Sequence, residues 1–379
     1  MARPLTVLHI ADTLGTGGLA RMAINLVNHL PPDRCRALLC TTRPDDGPLL
    51  EKLAPHVIWL QLRRLHRFDL KALKTLVNFI REQDIQILHA HGTSLFVAVM
   101  ASFFSPFPAV IWHVHSGGFS AGGRTTWPYK LVAFRIKAVI TVTQALADWS
   151  CQKLHIASNR VWYVPNFVWR DNEVKKMEKT ILPGQNKYRI VCLANLHPPK
   201  DHATLLHALA LVTRQIPKSH LILIGSANDR AYFRDLQKLI SKYQLEDHVS
   251  FLGHRDDVLS ILGACDIGIL SSTSEGFPMT LLEYGMAGLP TVATQVGQCP
   301  EVLDDGRAGI LVPSGSPTQL AEAMLQLLRS PDQCEFLGKQ LNFHVHEKFN
   351  QHHILEKFCL CYEMIVGGQE QVSTAPTGR

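Results

Sequence analysis

Short continuous apolar runs recur along this chain with amphipathic segments between them, and no other feature constrains the fold as much. Such runs suit strands buried on both faces, and strands separated by helices pair in parallel. In the first half they fall at residues 5–10, 37–40, 57–60, 85–89, 110–115, 139–142 and 161–164. Gly15-Thr16-Gly17-Gly18 follows the first run and opens a helix with Met22, Ala23, Leu26, Val27 and Leu30 on one face. A second helix is predicted over 69–83, with Asp69 as its N-cap. The apolar stretch 95–112 is broken by Ser105-Pro106 and Pro108, so it reads as a helix followed by a strand, not a membrane span.

The alternation stops at 167–187, where Lys175, Lys176, Glu178, Lys179, Pro183, Gly184 and Asn186 make a polar, breaker-rich connector. It restarts with runs at 189–194, 221–224, 249–252, 267–270, 291–293 and 310–312, and a helix from about His202. The expected organisation is therefore an N-terminal doubly wound domain over 1–170, a linker over 171–187 and a second such domain over 188–350. A helix at 351–371 is expected to pack back on the first domain, and 372–379 to be a disordered tail. Two α/β domains of Rossmann-like type would bind a ligand where the C-terminal ends of their strands face a shared cleft.

At 379 residues, 46% hydrophobic and 18% charged, the chain suits about two packed globular domains. Its overall charge of +6 is uneven: residues 1–170 carry +10 and the rest −4. A basic first half suits an anionic partner, though a solvated basic surface would look the same. Nine cysteines without a CxxC pair, Cys359 and Cys361 being the closest, suit reduced thiols in a cytoplasmic protein. The first residues do not read as a signal peptide, because the run ending at Ile10 meets Asp12 at once.

The segment from Ser274 to Pro290 carries the most chemistry. Pro278 suits the first turn of a helix and Gly288 its exit. Such a helix start would leave the N–H groups of Met279, Thr280 and Leu281 free for a diphosphate. Glu283 lies about 6 Å further along the axis, the reach from a diphosphate to a ribose. Glu275 precedes the helix and would face the sugar. Either glutamate alone reads as a surface carboxylate; the pair, seven residues apart around Gly276-Phe277-Pro278, is far more specific.

This segment, with Val296-Gly297 and Pro300-Glu301-Val302 after it, resembles the GT-B fold glycosyltransferases of family 4 and their E-x7-E signature. The resemblance runs over nearly the whole chain. It takes in Gly17-Gly18 with Arg21, His89-Ala90-His91-Gly92, His115 and Val164-Pro165-Asn166. It continues through Asn195-Leu196, Lys200-Asp201-His202, Leu252-Gly253-His254 and Ala264-Cys265-Asp266.

What the resemblance implies is a retaining, metal-independent transfer of a hexosyl or N-acetylhexosaminyl group from a UDP- or GDP-sugar. Lys200 would stabilise the departing nucleotide, Glu275 would face the sugar, and His115 would meet the transferred sugar. His113 points the same way from its strand but lies further from the strand's C-end. His91 is a weaker candidate for the acceptor side. Donor binding is implied for Gly17, Gly18, Asn195, Gly225, Leu252, His254, Phe277, Met279, Thr280, Leu281 and Glu283. The chain departs from the family at three places: Asn195 stands for an arginine, Phe167 for a glycine, and Gly225-Ser226-Ala227-Asn228 for Gly-x-Gly-Pro. No metal and no cofactor are implied, since no Asp-x-Asp occurs in a suitable loop.

Arg63, Arg64, Arg67, Lys71 and Lys74 form one basic cluster; Arg124, Trp127, Tyr129, Lys130, Arg135 and Lys137 form another, interleaved with aromatics. Such mixtures suit an anionic membrane surface, and point to a peripheral enzyme acting on a lipid-linked saccharide in cell-surface glycan assembly. A nicotinamide oxidoreductase is disfavoured because Gly15–Gly18 does not make G-x-G-x-x-G. A nucleotide-sugar epimerase lacks the glutamate pair, and no nucleic-acid motif is present. The rival from another class is a non-catalytic sugar-nucleotide-binding protein, suggested by Asn195.

Overall fold

In a computed structural model the chain divides into two compact units, Met1–Phe167 with Gln351–Arg379, and Val168–Asn350. The structure describes residues 3–66, 68–105, 107–115, 126–169, 182–183 and 188–373, without the side chains of 368–373. Arg67, Arg124, the Ser116-Gly117-Gly118 turn and nearly all of the 171–187 linker lie outside these residues, as do 374–379 of the expected tail.

The first unit holds strands β1 (Leu5–Ala11), β2 (Cys35–Thr41), β3 (Trp59–Gln61), β4 (Ile87–His91), β5 (Ala109–Val114), β6 (Ile136–Thr141) and β7 (Val161–Tyr163). Between them run helices α1 (Gly18–His29), α2 (Leu70–Glu82), α3 (Leu95–Ser102), α4 (Trp127–Ala133) and α5 (Gln144–Leu154). The sheet is parallel in the order β3-β2-β1-β4-β5-β6-β7. Met22, Ala23, Leu26 and Val27 of α1 are buried, the face that the heptad-like spacing marks. The Asp69 carboxylate caps α2 by accepting from Ala72 N at 3.0 Å.

The second unit holds β8 (Tyr188–Leu193), β9 (Ser219–Ile224), β10 (Val249–Gly253), β11 (Ile267–Leu270), β12 (Thr291–Thr294) and β13 (Ile310–Val312), parallel in the order β10-β9-β8-β11-β12-β13. Its helices are α6 (His202–Gln215), α7 (Arg230–Tyr243), α8 (Val258–Leu262), α9 (Met279–Met286), α10 (Cys299–Val302), α11 (Pro317–Arg329) and α12 (Pro331–Lys348). The core lies between the sheet and its helices, with Leu205, Leu209 and Val212 of α6 packed beside Leu320, Met324 and Leu327 of α11.

A final helix, α13 (Gln351–Ser373), belongs to the first unit. Cys359 Sγ meets Cys35 Sγ of β2 at 3.8 Å, both thiols free, and Tyr362 and Phe358 are wholly buried. Arg34 binds Glu356 and Glu363 at 2.6 and 2.8 Å across the same seam. The helix runs two residues past 371, so the expected tail loses its first two positions to it.

In each sheet the strand order reverses beside the first strand, between β1 and β4 and between β8 and β11. Open α/β sheets bind ligands outside the strand C-ends at such points.

Candidate active site

In the second unit the loop after β8 carries Lys200 and the loop after β11 carries Glu275. The two loops are stitched together: Thr273 N donates to Pro199 O at 2.9 Å and Ser271 Oγ to Lys200 O at 3.0 Å. The result is an ion pair, Lys200 Nζ to Glu275 Oε1 at 2.6 Å, with side chains only 19% and 9% exposed. Ser272 Oγ donates to the same carboxylate oxygen at 2.6 Å. Glu275 is fixed from behind by Gly297, whose φ of +52° lets its backbone lie where a Cβ would come within 2.3 Å of Glu275 O. A lysine held by one carboxylate beside a strand end can turn to an entering anion at little cost in desolvation, because it is already partly dehydrated.

Helix α9 begins at Met279; Pro278 is one residue outside it, as N-cap, not inside the first turn. Leu281 N donates to Pro278 O at 3.1 Å, so of the three N–H groups expected to be free Leu281 is removed; among the described residues those of Met279 and Thr280 remain without a backbone acceptor. A tightened first turn satisfies the third internally. The Thr280 hydroxyl is also engaged, donating to Leu193 O at 2.8 Å. Glu283 is buried, and Tyr284 beside it locks the helix to the sheet, donating to Ile269 O at 3.1 Å and accepting from Leu193 N at 2.9 Å. Gly288 takes φ +66° just past the helix, the exit read from sequence. Phe277 is buried edge-on against Phe349, with centroids 5.4 Å apart, so its ring serves packing.

The turn after β9 is built on Gly225, at φ +149°. A Cβ there would meet Ala194 O at 2.1 Å. Its N–H donates to Gly253 O at 2.9 Å, bringing the ends of β8, β9 and β10 together with Leu252 and the exposed His254. Asn195 accepts from Ser226 N at 3.0 Å through Oδ1. Its side-chain oxygen therefore braces this turn, where the sequence reading had the residue only as a ligand donor.

The first unit collects neutral groups instead. His9 on β1, His89 and His91 on β4, and His113 and His115 at the end of β5 lie on one face of the sheet. His9 sits level with His89 and His91 level with His113. Burial drives all five imidazoles well below the usual histidine range, His91 to about 3. The rings of His113 and His115 are 3.9 Å apart, so both histidines weighed in the sequence share one place. Gly17, the N-cap of α1, has an ordinary φ of −81° and open space where a Cβ would stand, and Gly18 is the first residue of the helix.

One feature escaped the sequence, and one cluster read there proves larger than expected. Asp12, just past β1, accepts from Thr42 Oγ1 and Thr93 Oγ1 and pairs with Arg64 at 3.7 Å. Arg64 is thus turned inward, which corrects its place in the exposed basic cluster. Around α4, Trp127, Leu131 and Phe134 are 61, 63 and 74% exposed, while Tyr129 anchors the helix by stacking on Trp112. Phe103, Phe104 and Phe107 extend that apolar surface, and the Arg135 guanidinium lies 5.7 and 5.6 Å over Phe103 and Phe107. Among the described residues no helix is long and apolar enough to cross a membrane.

A family model described as Glycosyltransferase Family 4 matches residues 16–171, and one described as Glycosyl transferases group 1 matches 173–341. Among curated relatives, N-acetyl-alpha-D-glucosaminyl L-malate synthase of Bacillus anthracis is 23% identical over 78% of this chain and 79% of its own length. The UDP-Gal:alpha-D-GlcNAc-diphosphoundecaprenol alpha-1,3-galactosyltransferase of Escherichia coli is 23% identical over 77% of this chain and 80% of its own. HepE of Anabaena, solved with UDP and glucose, superposes with a TM-score of 0.81 at 19% identity, over 95% of this chain and 100% of that one. With its two parallel-sheet units and both family matches, the chain belongs to the family 4 glycosyltransferases of GT-B fold.

Proposed function

We propose that this glycosyltransferase moves a sugar from a nucleoside diphosphate to a saccharide acceptor carried on a lipid, with retention of anomeric configuration and without a metal. The observation that carries the reading is the Lys200–Glu275 pair beside the start of α9, at the strand-order reversal of the second sheet. Lys200 would take the charge that builds on the leaving diphosphate, helped by the N–H groups of Met279 and Thr280. Glu283 would accept from the ribose, and the Gly225–Gly253 turn would read the base. A UDP donor is favoured by the UDP and UDP-glucose complexes of HepE.

Retention in hydrolases requires two close carboxylates, one of them a nucleophile. Glu275 is tied to Lys200 and Ser272, which suits positioning better than attack. The proposed step is a same-face displacement: the anomeric C–O bond to the diphosphate breaks as the acceptor oxygen bonds to that carbon. The acceptor's proton passes to the departing phosphate oxygen. His115 would meet the sugar.

Lipid linkage draws on the Escherichia coli relative, whose name specifies a diphosphoundecaprenol acceptor. It draws also on the apolar surface of Phe103, Phe104, Phe107, Trp127, Leu131 and Phe134 beside Lys130 and Arg135, a composition suited to an anionic interface.

Thermal-shift screening with UDP- and GDP-sugars, wild type against Glu283→Ala, tests the donor site. A rise in Tm with one donor that the variant loses supports it; a rise that survives in the variant sinks the assigned ribose contact. Product NMR decides the stereochemistry, since an inverted anomeric centre overturns the same-face step. Binding without transfer or donor hydrolysis would favour the non-catalytic reading.

A further inference from the structure

Five histidines on one sheet face, four of them buried and His115 partly so, have ten ring nitrogens to satisfy. His9 Nδ1 meets His91 Nε2 at 3.1 Å, and His91 Nδ1 meets His115 Nε2 at 3.1 Å. Alongside, the Tyr362 hydroxyl meets His89 Nδ1 at 2.6 Å, and His89 Nε2 meets His113 Nδ1 at 3.1 Å. Each middle imidazole is bonded at both nitrogens. Among the described residues, the buried atoms left over are His9 Nε2 at one end, and His113 Nε2 and His115 Nδ1 at the other.

Two sets of three histidines bring nitrogens within 4.8 Å of one another, close enough to suggest a metal. The ring geometry argues otherwise. The centroids of His9 and His91 are 5.4 Å apart and those of His91 and His115 5.3 Å, with the bonded nitrogens 3.1 Å apart. The nitrogens therefore lie almost on the line between ring centres, each ring aimed head to tail at the next. Two imidazoles on one metal would instead converge on a point off that line, about 2.0–2.1 Å from each nitrogen.

Head-to-tail neutral imidazoles leave little choice about protons. Each ring has one N–H and each contact needs one, so in the chain of three all N–H groups point the same way. Either His9 keeps an N–H at Nε2 and His115 a bare Nδ1, or the reverse. A buried N–H without an acceptor is rarer in proteins than an under-used acceptor. Both end atoms are buried, but His9 has no exposed surface at all whereas His115 keeps some at the C-terminal end of β5. An entering ligand can supply the missing acceptor only there, so the N–H belongs at the His115 end. In the second chain the phenol is the stronger acid. It donates to His89, which makes His89 an Nε2–H donor to His113 and leaves His113 its N–H at Nε2, a buried donor without an acceptor among the described residues that a ligand oxygen would relieve.

We propose that these chains are tautomer relays: His9 and Tyr362, at the inner ends, make His115 Nδ1 and His113 Nε2 N–H donors for a ligand oxygen such as a sugar hydroxyl or phosphate. His9, His89, His91 and Tyr362 are positioning residues. What the relays transmit is hydrogen-bond polarity and not charge, because burial keeps the rings neutral. The link to transfer rests on His115 as the sugar-facing residue; the tautomers do not.

The test is two-bond proton–nitrogen correlation NMR of protein labelled with 15N-histidine, assigned by single His→Gln variants. At neutral pH the wild type is expected to show His115 and His91 protonated at Nδ1, and His89 and His113 at Nε2. Tyr362→Phe should scramble or invert His89 and His113 while leaving His9, His91 and His115 as they were. A wild-type His115 protonated at Nε2 overturns the relay, as does a His89 tautomer unmoved in Tyr362→Phe. Displacement of these resonances by one equivalent of Zn²⁺ would replace it with a metal site. In transfer assays His91→Leu should lower kcat about tenfold with donor KM unchanged, and His91→Gln, which keeps a donor and an acceptor, should recover part of it. An enzyme without turnover would fail the proposed function and leave the tautomer result standing.

Discussion

At the ends of β8 and β11 the chain sets a lysine against a glutamate, 2.6 Å apart, beside two turns built on positive-φ glycines. On β1, β4 and β5 the same kind of parallel sheet sets five neutral histidines side by side. Both places lie at the strand-order reversal of their sheet, so architecture alone does not make the difference. A site for a diphosphate needs a cation already partly dehydrated and backbone that can approach closely. A site for hydroxyl groups needs polar atoms whose donor or acceptor character is fixed, with no charge to desolvate. The fold supplies the location, and short loops or alternate strand residues supply the chemistry.

That contrast can be broken at its strongest point with Gly225→Ala. The new Cβ would lie 2.1 Å from Ala194 O, and overpacking against backbone should cost about 3 kcal/mol or more. Denaturant unfolding should show the loss, and donor-induced thermal shifts should vanish while the histidine tautomers persist. Lys200→Ala comes next: removing the preorganised cation should lower kcat by about 10²–10³, and steady-state assay with a retained donor shift would separate charge stabilisation from binding. The histidine side is tested by acid. Rings held neutral in the fold but titrating near 6.5 when unfolded favour the folded state above that value and lose this as pH falls. The window runs from about 6.5 down to the folded value, about 3 for His91. By pH 5 the loss is about 2 kcal/mol for that imidazole, readable from urea midpoints at pH 7.5 and 5, and His91→Gln should flatten the slope. The smallest effect is expected for Thr280→Val, which deletes the hydroxyl tie to Leu193 O and should cost about 1 kcal/mol with donor binding nearly unchanged.

Strands were legible because a continuous apolar run bounded by breakers has few other uses; each of the runs read in the sequence is a strand, with ends displaced by at most two residues except at the start of β6, which lies three earlier. The Asp69 cap and the Gly288 exit were legible for the same local reason. The site was legible only where its residues are close in sequence. Glu275 and Glu283 announce themselves around one helix start, but the pairing of Glu275 with Lys200 spans 75 positions and depends on two loops being stitched together. His89 with His91, and His113 with His115, could be seen as same-face pairs; His9 could not, because its register against β4 is set by sheet order. Arg64 read as exposed until its partner Asp12 was placed 52 positions away. Asn195 read as a ligand group because nothing local reveals that its oxygen braces Ser226.

The return of α13 to the first unit has a consequence for how the protein is made. A ribosome delivers residues 1–167 first, yet Phe358, Cys359 and Tyr362, which close over β2 and the histidines, come after the whole of Val168–Asn350. At about 5–20 residues per second that delay is roughly 10–40 seconds. Through that interval the nascent first unit carries an uncovered apolar seam and an unfinished imidazole chain, while the second unit can fold as an uninterrupted segment. The earlier-born half is therefore the later to be completed.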